Sequence, residues 1–173
     1  MWVFGYGSLL WNPGFAFEDK KIAMMQDYAR SFCMRSIHHR GTVEHPGLVL
    51  ALDGMSGASC EGVAFKVKAG LEVQTLAYLR ERELVSSAYL ERDLPVQMVG
   101  GETVEAVSYV IDPAHDQYCH LNLEEQAQII STAVGGRGPN TEYLHNTAQH
   151  LADLGIEDAD LNWLSRRVRA LCA

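Results

Sequence analysis

Apolar and polar positions along the chain change period, and the changes mark out its elements. Val3-Phe4 runs into Gly5-Tyr6-Gly7-Ser8-Leu9, which reads as a short buried strand over residues 2–6 halted by a glycine-spaced turn. Asn12, Pro13 and Gly14 are breakers, so residues 11–22 read as loop. The mixed stretch from Tyr28 to Ile37 reads as a strand, Pro46-Gly47 as a turn and Leu48–Leu52 as an apolar strand. Asp53–Ser59 reads as loop. From Cys60 to Lys68 the pattern alternates, with Val63, Phe65 and Val67 sharing one face of a strand that Gly70 ends.

The period then lengthens. Leu71–Leu84 holds no Pro or Gly and is rich in good helix formers. Pro95–Val99 and Thr103–Ile111 read as strands joined through Gly100-Gly101-Glu102 into a hairpin, and Asp112–Leu121 as loop. Helices are expected over 123–134, 141–154 and 158–171, the first two separated by the glycine-rich stretch 135–140. Asp158 or Asp160 is placed to cap the last, whose apolar stripe is Leu161, Leu164, Val168 and Leu171. Strands first and helices last predict an α+β fold rather than a doubly wound sheet.

A chain of 173 residues predicts one domain over 1–173 with a proper core. The net charge of -8 argues against a nucleic-acid or acidic-membrane partner. Cys33, Cys60, Cys119 and Cys172 form no Cys-x-x-Cys pair, so neither a zinc knuckle nor a redox dithiol is expected. Reduced thiols and the lack of a leader or a membrane-length apolar run point to the cytoplasm. No feature of the sequence selects an oligomeric state.

The candidate chemistry lies in two places. The Gly5–Leu9 turn can bring a second backbone close, adopt positive φ and aim several N–H groups at one anion. Leu10 ends Gly5-Tyr6-Gly7-Ser8-Leu9-Leu10, so the dinucleotide fingerprint is incomplete, and no Gly-Lys-Ser/Thr comes after it to make a P-loop. The second place is the 71–84 helix, where Leu76, Leu79 and Glu83 fall on one stripe. A carboxylate on the buried face is expected to hold its proton more readily, which suits a general base. The competing reading pairs Glu83 with Arg80 or turns it out to solvent. Glu81 and Glu91 read as solvated surface. His38, His39 and His45, or His115, Cys119 and His120, do not have metal-ligand spacing, and Ser8 has no activating histidine at a motif spacing. Arg40, in a polar glycine-containing turn, is the arginine best placed for a ligand.

Taken together these residues resemble the ChaC family of γ-glutamylcyclotransferases over nearly the whole chain. The matching segments are Val3-Phe4-Gly5-Tyr6-Gly7-Ser8-Leu9, His39-Arg40-Gly41 with Pro46-Gly47, Tyr78-Leu79 with Arg82-Glu83 and Tyr89, and Gly138 with Asn140 and Glu142-Tyr143-Leu144. Where that family carries Gly-Gly after the glutamate, this chain has the stiffer Ser86-Ser87, and His38 stands where relatives often have an acidic residue. The resemblance implies a mixed α+β fold with a small barrel-like sheet. It implies glutathione as substrate, 5-oxoproline and Cys-Gly as products, and no cofactor or metal. Glu83 would be the general acid/base. Val3, Phe4, Gly5, Tyr6, Gly7, Ser8 and Leu9 would grip the γ-glutamyl group, with hydroxyl contacts from Tyr89 and Tyr143. Arg40 would meet the second carboxylate or brace its own turn. The alternatives are other γ-glutamyl amino acids or amines, or a non-catalytic γ-glutamyl-binding regulator of a transporter.

Overall fold

The computed structural model describes residues 1–85 and 87–173, so the Ser86 half of the Ser86-Ser87 departure lies outside the described residues. The chain forms two compact units, each built from separate stretches: Met1–Ser31 with Ala51–His115, and Phe32–Leu50 with Asp116–Ala173.

The first unit is organised around β1 (Trp2–Gly5), β2 (Phe17–Ser36), β3 (Gly47–Val67), β4 (Tyr89–Met98) and β5 (Thr103–Ile111), the distal ends of β2 and β3 continuing into the second unit. They close a barrel in the order β1-β3-β2-β4-β5, with β1 antiparallel to β3 and parallel to β5. Pairing on both sides explains why the Val3-Phe4 run is apolar on both faces: both residues are wholly buried. The strand stops at Gly5, and Ser8–Trp11 winds a single-turn helix, α1.

Glu72–Glu83 forms α2, which lays Leu79 into a core of Val3, Leu9, Val67, Val107 and Tyr109, with Leu76 against its edge. Burying each such leucine contributes about 1.5–3 kcal/mol. Arg80 and Arg82 in the last turn suit the negative end of the helix dipole.

Three stretches differ from expectation. Residues 17–22 and 53–59 belong to β2 and β3 rather than to loops. Residues 17–21 and 54–57 are exposed, so neither face needs apolar residues and no alternation is written there. A bond from the Gly57 N–H to the Asp27 carboxylate, at 3.0 Å, ties these arms where both residues take positive φ. β4 begins at Tyr89, not Pro95, and pairs continuously from Tyr89↔Ile111 to Gln97↔Thr103. The hairpin after it is as expected, with Gly100 and Gly101 at φ 106 and 96.

In the second unit α3 (Leu123–Thr132), α4 (Asn140–Asp153) and α5 (Ala159–Cys172) pack together. Asn122 opens α3 with a capping box to Glu125, and Asp158 caps α5 by accepting the Leu161 N–H at 3.0 Å. The glycine-rich connection is a tight two-residue pairing, β6 (Val134–Gly135) with β7 (Gly138–Pro139). Asn140 then does the work of a strand. It is fully buried, and its amide accepts from the Leu48 N–H and donates to the Leu48 carbonyl, each at 2.8 Å.

Asn140→Ala therefore leaves both polar groups of a buried peptide unpaired. We expect a loss of about 2–4 kcal/mol in urea unfolding; a loss within ordinary surface-mutation scatter would contradict this role.

Candidate active site

The site is assembled in the first unit from the turn after β1 and the last turn of α2. Close packing makes the turn. A Cβ on Gly5 would lie 3.0 Å from the Phe65 ring and 3.3 Å from the Leu9 Cβ, and one on Gly62 would overlap the Gly5 carbonyl. Neither Gly5 nor Gly7 takes the left-handed backbone also considered for them, and at Gly5 the lack of a side chain serves close approach. The Tyr6 hydroxyl donates to the Tyr109 carbonyl at 2.8 Å, and the Tyr6 carbonyl accepts from Arg30 Nε at 2.7 Å. Arg30 also donates to the Glu61 carbonyl. Val3 and Phe4 are buried strand residues that lead into this turn. Ser8 and Leu9 are the first residues of α1, and the opening amides of a helix have no acceptor within it.

Glu83 lies on the inward stripe of α2 with its side chain only 14% exposed, yet its ion partner is Arg82, not Arg80: Arg82 Nε stands 3.3 Å from Glu83 Oε1. The rest of that guanidinium is spent on the turn. Arg82 Nη2 donates to Ser8 Oγ at 3.0 Å, while Nη1 donates to the Asn12 carbonyl at 2.5 Å and to the Tyr78 hydroxyl at 3.2 Å. The Tyr78 ring fills the space a side chain would need at Gly14, whose φ is +75, and so closes the floor. One planar cation thus links the carboxylate, the serine hydroxyl and the chain past α1.

Arg80 points elsewhere. It grips Glu91 through two nitrogens, Nε to Oε1 at 3.0 Å and Nη2 to Oε2 at 2.9 Å, and the Tyr109 hydroxyl donates to the same carboxylate at 3.0 Å. Glu91 is therefore a bonded member of the wall, not the solvated surface residue expected. Arg80, then Tyr109, hold its carboxyl below the usual range against the opposing effect of burial. Burial first, then the bond to Glu91, push the Tyr109 phenol far above the ordinary tyrosine range, and the charge on Glu83 adds to this. Tyr89 sits at the start of β4 and packs half-buried against the cluster holding Leu79 and Tyr109.

The remaining candidates lie in the second unit and are committed there. Arg40 is 5% exposed; its Nη1 donates to the Pro139 carbonyl at 3.0 Å and faces Glu142 Oε1 at 3.4 Å. Its guanidinium stands 5.7 Å from the centre of the Tyr143 ring, and the Tyr143 hydroxyl accepts from the Leu50 N–H at 3.1 Å. Gly41, Gly47 and Gly135 bring three backbones together so tightly that a Cβ on any of them would collide with main chain. Arg40 braces its turn, the second of the two roles considered for it. Among the described residues no three His, Cys, Asp or Glu side chains gather closely enough to hold a metal ion.

Arg82, Tyr78, Tyr109, Glu91 and Arg30 have roles that the sequence pattern does not assign. Only Tyr78 and Arg82 leave a trace, being four apart on one helix face.

Residues 1–171 match the family model described as ChaC-like protein. The chain is 35% identical to a glutathione-specific gamma-glutamylcyclotransferase of Escherichia coli over 100% of its own length and 74% of that protein. It is 39% identical to gamma-glutamylcyclotransferase 2-1 of Arabidopsis thaliana, covering 98% of this chain and 82% of that one. In fold it is similar to a crystal structure of a glutathione-specific gamma-glutamyl cyclotransferase from yeast, with a TM-score of 0.90 at 22% identity over 98% of this chain and 96% of that one. The small barrel with flanking helices is the α+β architecture expected.

The Arg80–Glu91–Tyr109 cluster gives a pH prediction. A carboxylate held below its unfolded pKa stabilises the fold above that value and loses the contribution as pH falls through the folded one. The stability difference between the protein and its Glu91→Gln variant is expected in full at pH 7 and to shrink below about pH 4 in urea titrations. A difference that grows on acidification would contradict it.

Proposed function

The chain belongs to the ChaC-like family, and on that premise we propose that it is a glutathione-specific γ-glutamylcyclotransferase. The observation that carries the reading is a carboxylate on the buried face of α2, tied through one guanidinium to the turn that opens α1. The α-amine of the γ-glutamyl group attacks its own side-chain carbonyl. A five-membered lactam forms as the amide bond to cysteine breaks, giving 5-oxoproline and Cys-Gly. The nucleophile is tethered, so the enzyme's first task is to fold the substrate into reacting geometry.

Glu83 takes the proton from the attacking ammonium and delivers it to the leaving amine, so one group serves as base and then acid. The Gly5–Leu9 turn holds the γ-glutamyl head group, with the Ser8 and Leu9 amides available to the carbonyl oxygen as it gains charge. Tyr89 supplies a further wall. Arg82 is a positioning residue: it acts through Glu83, whose carboxylate it fixes relative to Ser8. Cys33, Cys60, Cys119 and Cys172 are free thiols, which suits a reducing cytoplasm, and among the described residues no helix is long and apolar enough to cross a membrane.

Mass spectrometry of glutathione incubated with the chelator-treated protein is expected to show 5-oxoproline and Cys-Gly in equal amounts. Thermal stabilisation by glutathione that remains intact would overturn the enzymatic reading, and turnover confined to other γ-glutamyl compounds would overturn its specificity. Arg82→Lys keeps a cation but loses the planar fork, and is expected to lower kcat by about ten- to a hundredfold with a smaller change in KM. A change in KM alone would remove Arg82 from the positioning role.

A further inference from the structure

The second unit contains a cleft of about 470 Å³ that the proposed chemistry does not use. This lies within the range of small-molecule sites, roughly 300–1,000 Å³. One wall is β2, where Arg35 is held in place: its N–H donates to the Gln117 carbonyl and its own carbonyl accepts from Gln117 Nε2, each at 2.7 Å. The strand thus presents the Arg35 guanidinium from a pinned backbone. Among the described residues nothing accepts a hydrogen bond from that guanidinium or lies within ion-pair distance of it. The contrast is sharp within this unit, where the other partly buried arginine, Arg167, is bidentate on Glu124 and the buried Arg40 donates from Nη1 to the Pro139 carbonyl. A half-buried guanidinium has lost some of its water, and a partner for it lowers the free energy.

The same cleft also carries the opposite polarity. Glu44 sits in a turn closed by paired bonds between Thr42 and His45, at 3.0 Å each, and its carboxylate is likewise unpaired among the described residues. The last turn of α3, at Ile129, adds the electronegative end of a helix. Pro46, Ile129 and Ala133 supply apolar surface in the same cleft, and His45 and Thr132 complete its lining.

We propose that this cleft is a binding site for a small zwitterion, an amino acid or short peptide with a free carboxylate and a free ammonium. Arg35 takes the carboxylate, Glu44 and the end of α3 take the ammonium, and the apolar wall takes the intervening chain. The site stands on these residues alone and does not rest on the cyclotransferase reading.

The test is titration of the full-length protein with glycylglycine, monitored by calorimetry and by amide NMR shifts. Saturable binding is expected, with shifts at Arg35, Glu44 and Ile129, and with Kd weakened about tenfold or more in Arg35→Met, as loss of a charge-assisted pair implies. N-acetylglycylglycine, which lacks the ammonium, is expected to bind more weakly than glycylglycine to the protein and equally to Glu44→Gln, a substitution in an exposed turn that keeps the test open if Arg35→Met does not fold. Glu83→Gln is expected to bind glycylglycine unchanged, so failure here and failure of the enzymatic reading are separable. No saturable binding, binding indifferent to both substitutions, or inorganic phosphate binding as well as glycylglycine would each overturn the proposal.

Discussion

The Arg82 guanidinium is the joint on which the candidate site depends. Its five N–H groups are divided between a carboxylate on the same helix and acceptors in the turn after β1. Two side chains with little exposure carry the opposite charges, 9% for Arg82 and 14% for Glu83. Neither would be tolerated there alone, since an unpaired buried charge costs several kcal/mol. The pair therefore couples the position of α2 to that of the glycine turn. The barrel supports both ends. β1 is gripped by β3 and β5, and α2 is seated by Leu79 in the same core that contains Val3 and Leu9. The proposed base and the glycine turn are held by one hydrophobic cluster and one cation.

Around that joint lies a second polar layer. Arg30 fixes the carbonyl of Tyr6, Tyr6 bonds to β5, and Tyr109 on β5 bonds to Glu91, which Arg80 neutralises. This layer fixes the orientation of Tyr109, whose phenol feels the charge on Glu83. The arginine beside Glu83 in space is the one beside it in sequence, while Arg80, on an adjoining part of the helix surface, serves the wall.

Much of this was legible in the sequence, and the failures are instructive. The inward placement of Glu83 came from its spacing with Leu76 and Leu79, because helical period is a direct consequence of backbone geometry. The α+β class and the helix at 72–83 came from the same kind of pattern. The arms of β2 and β3 did not, because strands exposed on both faces carry no alternation. Arg40 and Tyr143 shared a motif character with the turn residues, yet their motif packs backbone on backbone at Gly41, Gly47 and Gly135. Glycine-rich patterns report close approach, and sequence alone does not say whether a ligand or another strand comes close. Arg82 stands in one of the matching segments but takes no role from the pattern for a related reason: a charge next to a charge is the commonest pattern on any helix surface. Ser87, at φ 59, takes the left-handed backbone that glycine favours.

The central claim is that Glu83, and no other carboxylate of α2, moves the proton. The most direct measurement compares turnover of glutathione by the protein with that of Glu83→Gln and Glu81→Gln, each shown by circular dichroism to be folded. Glu83→Gln is expected to lose at least about a hundredfold in kcat, the least that a general acid/base supplies, while Glu81→Gln keeps the parent rate. A folded Glu83→Gln protein that turns over at the parent rate would contradict the account.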